Sequence, residues 1–355
     1  MDLEEKIELV KKNPTEEILT EEDLKNLLET NEHPEHYIGF EISGKLHLGT
    51  LLICGIKIND FSKAGIKCKV FLADWHTFLN KKLGGNWDNI IKAYKYYEEA
   101  FKFFCPDAKI ILGSELYFNN NEYWKDVVRF SSLVTLPRLM RTLTIMGRSE
   151  KEKLFASQMI YPPMQAVDVK YLCQIAHGGT DQRKVHVLCR EIFPKLGWEK
   201  PIAVHHHLLA GLEKPPEIKD KFEKVEAAKM SKSKPWTCIF IHDNEEEIKE
   251  KLMKAWCPEG IIDGNPVLEI AQYIIFRMKK RFEIERKGKY NDTLEFFEYK
   301  ELEEFYKQKK IHPLDLKESV ARVLSEILKP IREHFEKPKN KKLLEIFEKL
   351  KEDNL

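Results

Sequence analysis

A histidine lies between two glycines in the segment Gly44-Lys-Leu-His47-Leu-Gly49-Thr50. The pattern around it predicts a turn between a short strand and a helix. Such a turn offers unpaired N–H groups and the positive end of a helix dipole to a phosphate. Gly49 would let a nucleotide lie against the backbone, and His47 would donate to a phosphoryl oxygen. Taken alone, a histidine beside a glycine turn is more often structural.

Two lysines flank small residues in Lys229-Met230-Ser231-Lys232-Ser233, inside the charged segment 211–235. Their ammonium groups would neutralise a pyrophosphate, and the segment is predicted to be a loop that closes over it. A charged run is also typical of a solvated surface. The two segments together, about 180 residues apart, are more specific than either one.

This pair resembles the HIGH and KMSKS signatures of class I aminoacyl-tRNA synthetases. The second signature occurs letter for letter, and the first occurs as HLGT, with Thr50 in place of the usual second histidine. The usual GFEPSG opening has Ile42 in place of proline, and Tyr117 stands where relatives tend to carry glutamine. Further segments resemble the archaeal and eukaryotic type of tyrosyl-tRNA synthetase: Tyr37-Ile-Gly-Phe-Glu, Leu72-Ala-Asp-Trp-His76, Tyr161-Pro-Pro-Met-Gln165-Ala-Val-Asp168, Gly178-Gly-Thr-Asp-Gln182-Arg-Lys184 and His312-Pro-Leu-Asp315.

The resemblance implies that tyrosine is activated with ATP to tyrosyl-adenylate and pyrophosphate, and that tyrosyl then moves to the 3′ end of tRNA(Tyr). His47, Lys229 and Lys232 would be catalytic, because charge stabilisation and positioning dominate phosphoryl transfer. Mg²⁺ would accompany ATP, since the sequence shows no carboxylate cage and no other metal site. The implied ATP-binding residues are Gly39, Gly44, His47, Gly49, Thr50, Lys229, Met230, Ser231, Lys232 and Ser233.

Tyr37 and Asp168 stand where this family meets the phenol hydroxyl of its amino acid. A phenol both donates and accepts a hydrogen bond, so a buried carboxylate beside a buried tyrosine hydroxyl satisfies it. The resemblance assigns the substrate ammonium to Tyr161, Gln165 and Gln182, whose side chains offer acceptor oxygens. The complete set of implied tyrosine-binding residues is Tyr37, Ala73, His76, Tyr161, Gln165, Asp168 and Gln182.

Residues 161, 165 and 168 follow helical spacing, so one helix face would present both the ammonium-binding and the hydroxyl-binding groups. The alternative is that Tyr161 and Met164 are core residues and Asp168 is a surface acid. Both interpretations are open at the level of sequence.

Contacts with tRNA are also implied by the resemblance. Arg183 and Lys184 would lie near the first base pair of the acceptor stem. Asp315 would read a guanine at the first anticodon position through its N–H donors, with His312 and Phe282 stacking on the base. The segment from His312 to Asp315 also suits the first turn of a helix, which leaves a purely structural alternative open.

Strand and helix patterns alternate through the first two thirds of the chain, with strands expected near 37–40, 69–76, 109–114 and 203–209. Alternation at this spacing predicts an α/β fold: a Rossmann-type parallel sheet with right-handed crossovers. One or two short helices are expected within 1–30.

A mostly helical insertion is expected at about 120–176, and the catalytic domain would span 1–245. Residues 246–355 show helical periodicity and are expected to form an all-α C-terminal domain that binds the anticodon.

The charge balance is close to neutral, with 59 Lys and Arg against 58 Asp and Glu. Because the chain is not basic overall, its net charge gives no argument for a DNA partner. Any contact with RNA must come from local basic patches. Seven cysteines without a CxxC pair suggest reduced thiols in a cytoplasmic protein. The charged N-terminus and the lack of a long apolar run predict no signal peptide and no membrane partner.

His205-His206-His207 is a contiguous run on a predicted strand, so its side chains should alternate between faces, partly exposed and without a metal. A homodimer is expected from the family, with the insertion at about 120–150 as a plausible interface. The alternatives to tyrosine charging are a tryptophan—tRNA ligase of the same fold, a non-catalytic RNA-binding paralogue and another Rossmann-type nucleotidyltransferase.

Overall fold

The computed structural model describes residues 1–146, 153–288 and 291–352. The chain forms two compact units. The first unit consists of Met1–Gly44, Lys57–His207 and Pro338–Leu355, and the second consists of Lys45–Ile56 and Leu208–Lys337. Both segments that are predicted to bind phosphates, His47 with its neighbours and the lysine-rich loop, belong to the second unit.

A six-stranded sheet forms the centre of the first unit. Its strands are β1 (Thr15–Leu19), β2 (Glu35–Phe40), β3 (Lys67–Leu72), β4 (Lys109–Leu112), β5 (Ile175–Gly179) and β6 (Ile202–His206). They lie in the order β1-β6-β5-β2-β3-β4, and all are parallel except β1, which pairs antiparallel with β6. Strands β5 and β6 are buried along their whole length, as parallel strands covered on both faces should be. The predicted α/β fold with a Rossmann-type parallel sheet is confirmed.

Helices cover the sheet and make up most of the second unit. The π-helical turn Leu48–Ile53 leads directly into the third α-helix, as the sequence pattern after His47 predicts. In chain order the α-helices are α1 (Leu3–Lys11), α2 (Glu21–Thr30), α3 (Cys54–Lys63), α4 (Asp74–Leu79), α5 (Trp87–Phe104), α6 (Gly113–Tyr117), α7 (Asn121–Ser131), α8 (Leu136–Thr142), α9 (Tyr161–Leu172), α10 (Arg183–Ile192), α11 (Lys221–Ala228), α12 (Glu245–Lys254), α13 (Pro266–Ile270), α14 (Phe276–Met278), α15 (Tyr299–Lys307), α16 (Pro313–Glu336) and α17 (Pro338–Glu352). None of them, within the described residues, is both long and apolar enough to span a membrane.

The expectation that the C-terminal part is all-α is wrong in one place. An antiparallel hairpin joins β7 (Phe282–Arg286) to β8 (Asp292–Phe296). Phe282 and Ile284 are buried and alternate with more exposed residues, which is the period of a strand. Five residues are too few to distinguish this period from the end of a helix, and a helical pattern precedes them.

Three other elements differ from expectation. Strand β5 begins at the end of the segment that was expected to be a helical insertion, and no strand was predicted there. Strand β1 lies between the two N-terminal helices, where only helices were predicted. Its sequence is charged and it runs at the edge of the sheet, so it lacks the apolar run of a buried strand. Helix α11 interrupts the segment that was predicted as a loop at 211–235, and the Asp220 side chain caps it by accepting from Glu223 N.

The last helix belongs to the first unit. Helix α17 packs on α5, where the ring of Phe347 lies 4.5 Å from that of Tyr96. Apolar contact of this kind is sufficient to dock an amphipathic helix. The compact units therefore do not follow a single cut near residue 245, and the assignment of a catalytic and an anticodon-binding part stays a prediction.

Buried histidines link three neighbouring strands. His36 Nε2 lies 3.0 Å from His177 Nδ1, and His206 Nδ1 lies 2.9 Å from His177 Nε2. His205 meets different partners, since its Nε2 lies 3.0 Å from His186 Nδ1, which is consistent with alternation along β6. The expectation that this run is partly exposed is wrong for His205 and His206, because neighbouring helices cover the sheet.

Burial lowers the pKa values of these imidazoles because it disfavours the charged form. The pKa of His36 falls to about 3 and that of His206 to about 4, and the pKa of His177 is also lowered. The folded protein therefore keeps these histidines neutral at pH values where an unfolded chain would protonate them.

We expect the free energy of unfolding to fall as the pH is lowered from about 6.5 to about 5, because the unfolded chain then binds protons that the folded chain does not. His177→Gln should reduce this fall by about 2 kcal/mol, the contribution of one histidine over about 1.5 pH units. Urea unfolding at both pH values measures it. The exposed His33 provides the control, since His33→Gln should keep the wild-type pH dependence. An identical pH dependence in His177→Gln and the wild type would contradict this account.

Candidate active site

The strand order reverses between β2 and β5. From β2 the chain continues outward through β3 and β4, whereas β5 and β6 lie on the other side of β2. In open parallel sheets, ligands bind outside the carboxyl ends of the strands at such a switch point. The carboxyl ends of β2 and β5 are therefore the expected ligand site of the first unit.

Asp168 is the centre of a hydrogen-bonded cluster in this unit. It lies on α9, and its carboxylate is completely buried. The Tyr123 hydroxyl donates to Oδ1 at 2.7 Å, and the Tyr117 hydroxyl lies 3.0 Å from Oδ1 and 3.2 Å from Oδ2. The alternative of a surface acid at this position is wrong. The carboxylate is instead an acceptor held by phenols inside the protein.

Burial dominates the electrostatics of this cluster. It raises the pKa of Asp168 to about 8, although the hydrogen bonds from Tyr123 and Tyr117 act to lower it. His76 Nε2 lies 3.5 Å from Asp168 Oδ2, and burial lowers the pKa of His76 to about 3. The imidazole is therefore neutral at pH 7, and the carboxylate faces polar groups without a compensating full charge.

Tyr37 supplies a further phenol. Its side chain is buried, and its pKa is raised first by burial and then by the charge of Asp168. A Cβ at Gly39 would lie 2.5 Å from the Tyr37 hydroxyl oxygen, so residue 39 must be glycine for Tyr37 to take this position. The structure thus explains the glycine at position 39 by its packing beside Tyr37, a predicted tyrosine-binding residue, while the contact of Gly39 with ATP stays a prediction.

The N-terminal half of α9 carries Tyr161 and Gln165, two of the three residues predicted to bind an ammonium group, and Gln182 lies in the turn before α10. Gln165 Nε2 donates to Gln182 Oε1 at 2.9 Å, which orients both amides. Gln165 Oε1 is buried and has no hydrogen-bond partner among the residues that the structure describes. The Tyr161 ring packs edge-on against His76, with 4.5 Å between ring centroids. An unsatisfied acceptor here suits a primary ammonium.

Helical spacing correctly predicts that residues 161, 165 and 168 share a helix, and all three lie on α9. Ala73 is buried directly before α4, which carries His76. Tyr123 was missed by the sequence interpretation, because it lies on α7 and meets Asp168 only in the folded chain. Tyr117 was noted as a departure from the family pattern, and the structure gives it a partner in Asp168.

In the second unit, backbone pairing joins the segment around His47 to the residues after the lysine-rich loop. Leu48 N donates to Ile239 O at 3.1 Å, and Ile241 N donates to Leu46 O at 3.1 Å. His47 and Phe240 form the bridge between these two bonds. Segments that are about 190 residues apart in the sequence are therefore adjacent in space.

The His47 imidazole is buried and oriented. Its Nε2 lies 2.8 Å from Thr50 Oγ1, and its Nδ1 is buried with no partner among the described residues. Burial, with a smaller effect from the charges of Lys232 and Lys229, lowers the pKa of His47 to about 3. The ring is therefore neutral at pH 7 and can donate a single N–H. A Cβ at Gly49 would lie 3.2 Å from His47 Cε1, so glycine leaves the room that the ring needs.

The lysine-rich loop is anchored at Met230. Its side chain is buried, and its backbone N donates to Leu209 O at 2.7 Å. Ser231 and Ser233 form a hydrogen bond of 2.9 Å between their hydroxyl oxygens. This loop borders a cleft whose lining includes Gly211, Lys229, Ser231, Ser233 and Lys234. A buried anchor beside half-buried lysines suits a loop that carries positive charge to a phosphate.

Residues predicted to contact tRNA make hydrogen bonds within the protein. Arg183 Nε donates to both carboxylate oxygens of Glu17, at 3.0 and 2.9 Å, and Lys184 follows it on α10. His312 caps α16, because its Nδ1 accepts from Leu314 N at 3.2 Å, and Asp315 lies in the first turn.

Phe282 is completely buried and packs edge-on against Phe276. A ring in this position is not available to stack on a base. The ring instead packs in the apolar core beside the hairpin, and the stacking role predicted for Phe282 is not supported.

Asp315 lies in a cleft of the second unit that is lined by cationic side chains, among them Arg286, Lys287, Lys309 and Lys310. Cations of this kind bind nucleic-acid phosphates, while a carboxylate accepts from the N–H groups of guanine. The cleft combines both kinds of group.

Residues 29–329 match the family described as tRNA synthetases class I (W and Y), and the chain belongs to this family. Its relatives narrow the class further. The tyrosine—tRNA ligases of Thermococcus sibiricus and Pyrococcus abyssi are 48% and 47% identical to the chain, over 95% of its length and 96% of theirs.

Solved structures agree with these relatives. The crystal structure of tyrosyl-tRNA synthetase complexed with L-tyrosine from Pyrococcus horikoshii matches with a TM-score of 0.92 and 45% identity, over 98% of this chain and 100% of that chain. The tryptophanyl-tRNA synthetase of Plasmodium falciparum matches with a TM-score of 0.67 at 16% identity, which shows a common fold alone.

Thr50→Val should lower kcat for ATP–pyrophosphate exchange about fivefold to tenfold, because the imidazole of His47 loses the hydroxyl that orients it. The KM for tyrosine should not change, since Thr50 does not belong to the Asp168 cluster that is predicted to bind tyrosine. Thr50→Ser retains the hydroxyl and should restore wild-type kcat, and thermal unfolding checks that both variants are folded. A Thr50→Val enzyme with normal kcat would show that this hydrogen bond has no role in catalysis.

Proposed function

We propose that the chain is a tyrosine—tRNA ligase, which activates tyrosine with ATP to tyrosyl-adenylate and pyrophosphate and then transfers tyrosyl to the 3′ end of tRNA(Tyr). The observation that carries this proposal is the buried Asp168 carboxylate with phenol hydroxyls around it. The identity of 48% to a tyrosine—tRNA ligase over 95% of the chain supports the same assignment.

Tyrosine fits this cluster better than other aromatic amino acids. The substrate hydroxyl would donate to Asp168 and accept from a neighbouring phenol such as Tyr37. Phenylalanine would leave the buried carboxylate without that partner, and an indole N–H could donate but not accept. A pocket built to bond a hydroxyl rejects a substrate that lacks it, because a buried polar group is left unpaired. Discrimination against phenylalanine by tyrosyl-tRNA synthetases is the usual example.

The other end of the amino acid would be held by α9. The ammonium group would donate to Gln165 Oε1, the buried acceptor that has no partner among the described residues. Tyr161 and Gln182 would accept the remaining N–H bonds, which satisfies a primary ammonium with three donors. Ala73 and His76 would line the pocket beside the ring.

In the activation step, a carboxylate oxygen of tyrosine attacks the α-phosphorus of ATP, and the bond to the β-phosphate oxygen breaks. The electron pair leaves with pyrophosphate. The neutral His47 would donate to a phosphoryl oxygen, and Lys229 and Lys232 would neutralise the leaving group. ATP enters as substrate with Mg²⁺ on its phosphates. The phosphates would meet Gly44, Gly49, Thr50 and the loop from Lys229 to Ser233.

The tRNA contacts follow from charge and position. Arg183 and Lys184 would meet the acceptor stem, and RNA phosphate or base oxygens would replace Glu17 as the partner of Arg183. Asp315 would accept from the Watson–Crick edge of the first anticodon base, with His312 stacking beside it. The catalytic part would then be 1–245, and the anticodon-binding part would lie within 246–355.

A homodimer is part of this proposal. Three apolar side chains around α7 and α8 are widely exposed: Phe118 by 78%, Val128 by 69% and Leu136 by 63%. Exposed apolar residues grouped in this way are typical of a protein interface. A cytoplasmic location is proposed because tRNA and ATP are the substrates.

ATP–pyrophosphate exchange measured with each of the twenty amino acids should show exchange with tyrosine alone. Asp168→Asn should lower kcat/KM for tyrosine at least about a hundredfold, because the amide replaces one of the two carboxyl oxygens with an NH2 donor that cannot accept from the substrate hydroxyl. Asp126 is the control: it is a buried aspartate that accepts from the Tyr171 hydroxyl at 3.1 Å and pairs with Arg129 and Lys170 instead of holding the Asp168 cluster. Asp126→Asn should reduce thermal stability and leave the KM for tyrosine unchanged.

Exchange with tryptophan alone would contradict tyrosine charging, and a folded wild-type protein without any exchange would favour the RNA-binding paralogue. Full activity of Asp168→Asn would remove the central residue from the proposal.

Asp315→Ala should lower kcat/KM for tRNA charging about tenfold, the effect of one lost base contact, while tyrosine-dependent pyrophosphate exchange stays at the wild-type rate. Glu318 lines the same cleft and is the matched control, since Glu318→Ala should change charging less than about twofold. Equal losses in exchange and in charging would show that Asp315 acts through the fold rather than through tRNA.

A further inference from the structure

Residues 41–44 form the loop between β2 and the segment that contains His47. Position 42 in this loop is an isoleucine. Ile42 is completely buried, and its backbone N donates to Thr77 Oγ1 at 2.8 Å. A proline has no N–H at this position, so isoleucine introduces a buried donor that needs an acceptor.

Thr77 is well suited to accept this bond. Its side chain is completely buried on α4, and its hydroxyl donates to Ala73 O at 2.7 Å. That donation fixes the hydroxyl hydrogen and turns a lone pair of the oxygen towards Ile42 N. A valine at position 77 would have nearly the same shape and would offer no acceptor.

Tyr97 holds the next two residues of the loop. Ser43 N donates to the Tyr97 hydroxyl oxygen at 3.1 Å, and the same hydroxyl lies 2.8 Å from Ser43 O and 2.9 Å from Gly44 O. The ring of Tyr97 is buried between Tyr96 and Phe347, with centroids 5.6 and 6.3 Å away. Tyr97 therefore reaches the loop from a fixed position.

Gly44 is the last residue held in this way, and it has a positive φ of 65°. Lys45 and the segment up to Thr50 follow it directly in the chain. A proline at position 42 restricts the loop by fixing φ, which lowers the freedom of the backbone. Here the restriction comes from side-chain hydrogen bonds.

We propose that Thr77 and Tyr97 are positioning residues for the activation step, and that the Thr77 hydroxyl restricts the loop through its hydrogen bond with the N–H of Ile42. Neither residue belongs to the proposed substrate-binding set. Both act through the backbone of residues 42–44, which leads into the proposed phosphate-binding segment. The inference thus rests on the proposed role of Gly44 and His47 in binding ATP.

A double-mutant cycle on Thr77→Val and Ile42→Pro tests the inference by tyrosine-dependent pyrophosphate exchange. In the Ile42 background, Thr77→Val should lower kcat/KM for ATP about tenfold, because the loop loses a buried hydrogen bond. In the Ile42→Pro background the same change should cost less than about twofold, since no donor is left unpaired. The KM for tyrosine should stay constant throughout.

Two further variants separate the hydroxyl from general packing. Thr77→Ser keeps the hydroxyl and should retain the wild-type kcat/KM for ATP. Thr30 donates to Asn26 O at 2.7 Å in α2 and provides the matched control, because Thr30→Val removes the same kind of bond at an exposed site without affecting activation. Tyr97→Phe should raise the KM for ATP in both backgrounds, since its contacts are with residues 43 and 44.

Equal losses from Thr77→Val in the two backgrounds would overturn the inference, as would a parallel rise in the KM for tyrosine or a folded but inactive Ile42→Pro variant. Should Thr77→Val fail to fold, folding of the double variant supports the inference and its failure to fold overturns it. A wild-type protein without exchange would instead defeat the proposed function, whatever the variants show.

Discussion

A carboxylate that is wholly removed from water must find its hydrogen-bond donors inside the protein, because an unpaired buried charge costs several kcal/mol. Asp168 meets this requirement through the hydroxyls of Tyr117 and Tyr123, which come from α6 and α7. The aromatic rings that carry these hydroxyls also pack against each other, 4.7 Å apart. One constraint therefore determines which residues surround Asp168, and in the proposed function it keeps an acceptor available for the substrate hydroxyl.

The phosphate chemistry depends on a different constraint, the pairing of backbone segments that are distant in sequence. Leu46–Leu48 and Ile239–Ile241 satisfy each other's N–H and C=O groups, and this pairing brings the imidazole of His47 under the influence of Lys229 and Lys232. Because the ring is buried it stays neutral, so in the proposed activation step it would act as a hydrogen-bond donor and not as a cation. The lysines supply the charge.

Periodicity predicted much of this architecture. The alternation of strands and helices indicates the parallel sheet, and helical spacing places 161, 165 and 168 on one helix. The misses are at short or charged elements. Strands β1, β7 and β8 have five residues each, which is too few to show a clear period. His205 and His206 were expected to be partly exposed because composition does not show that helices cover both faces of the sheet.

The sequence by itself determined the family, the type of sheet and the identity of the polar residues that could do chemistry, since these depend on local pattern and on residue type. Only the tertiary structure decided the protonation state of His47, the phenol partners of Asp168, the buried position of Phe282 and the acceptor for Ile42 N. These properties depend on which side chains from distant segments exclude water around a group. Burial and hydrogen-bond partners arise from long-range contacts that no local period records.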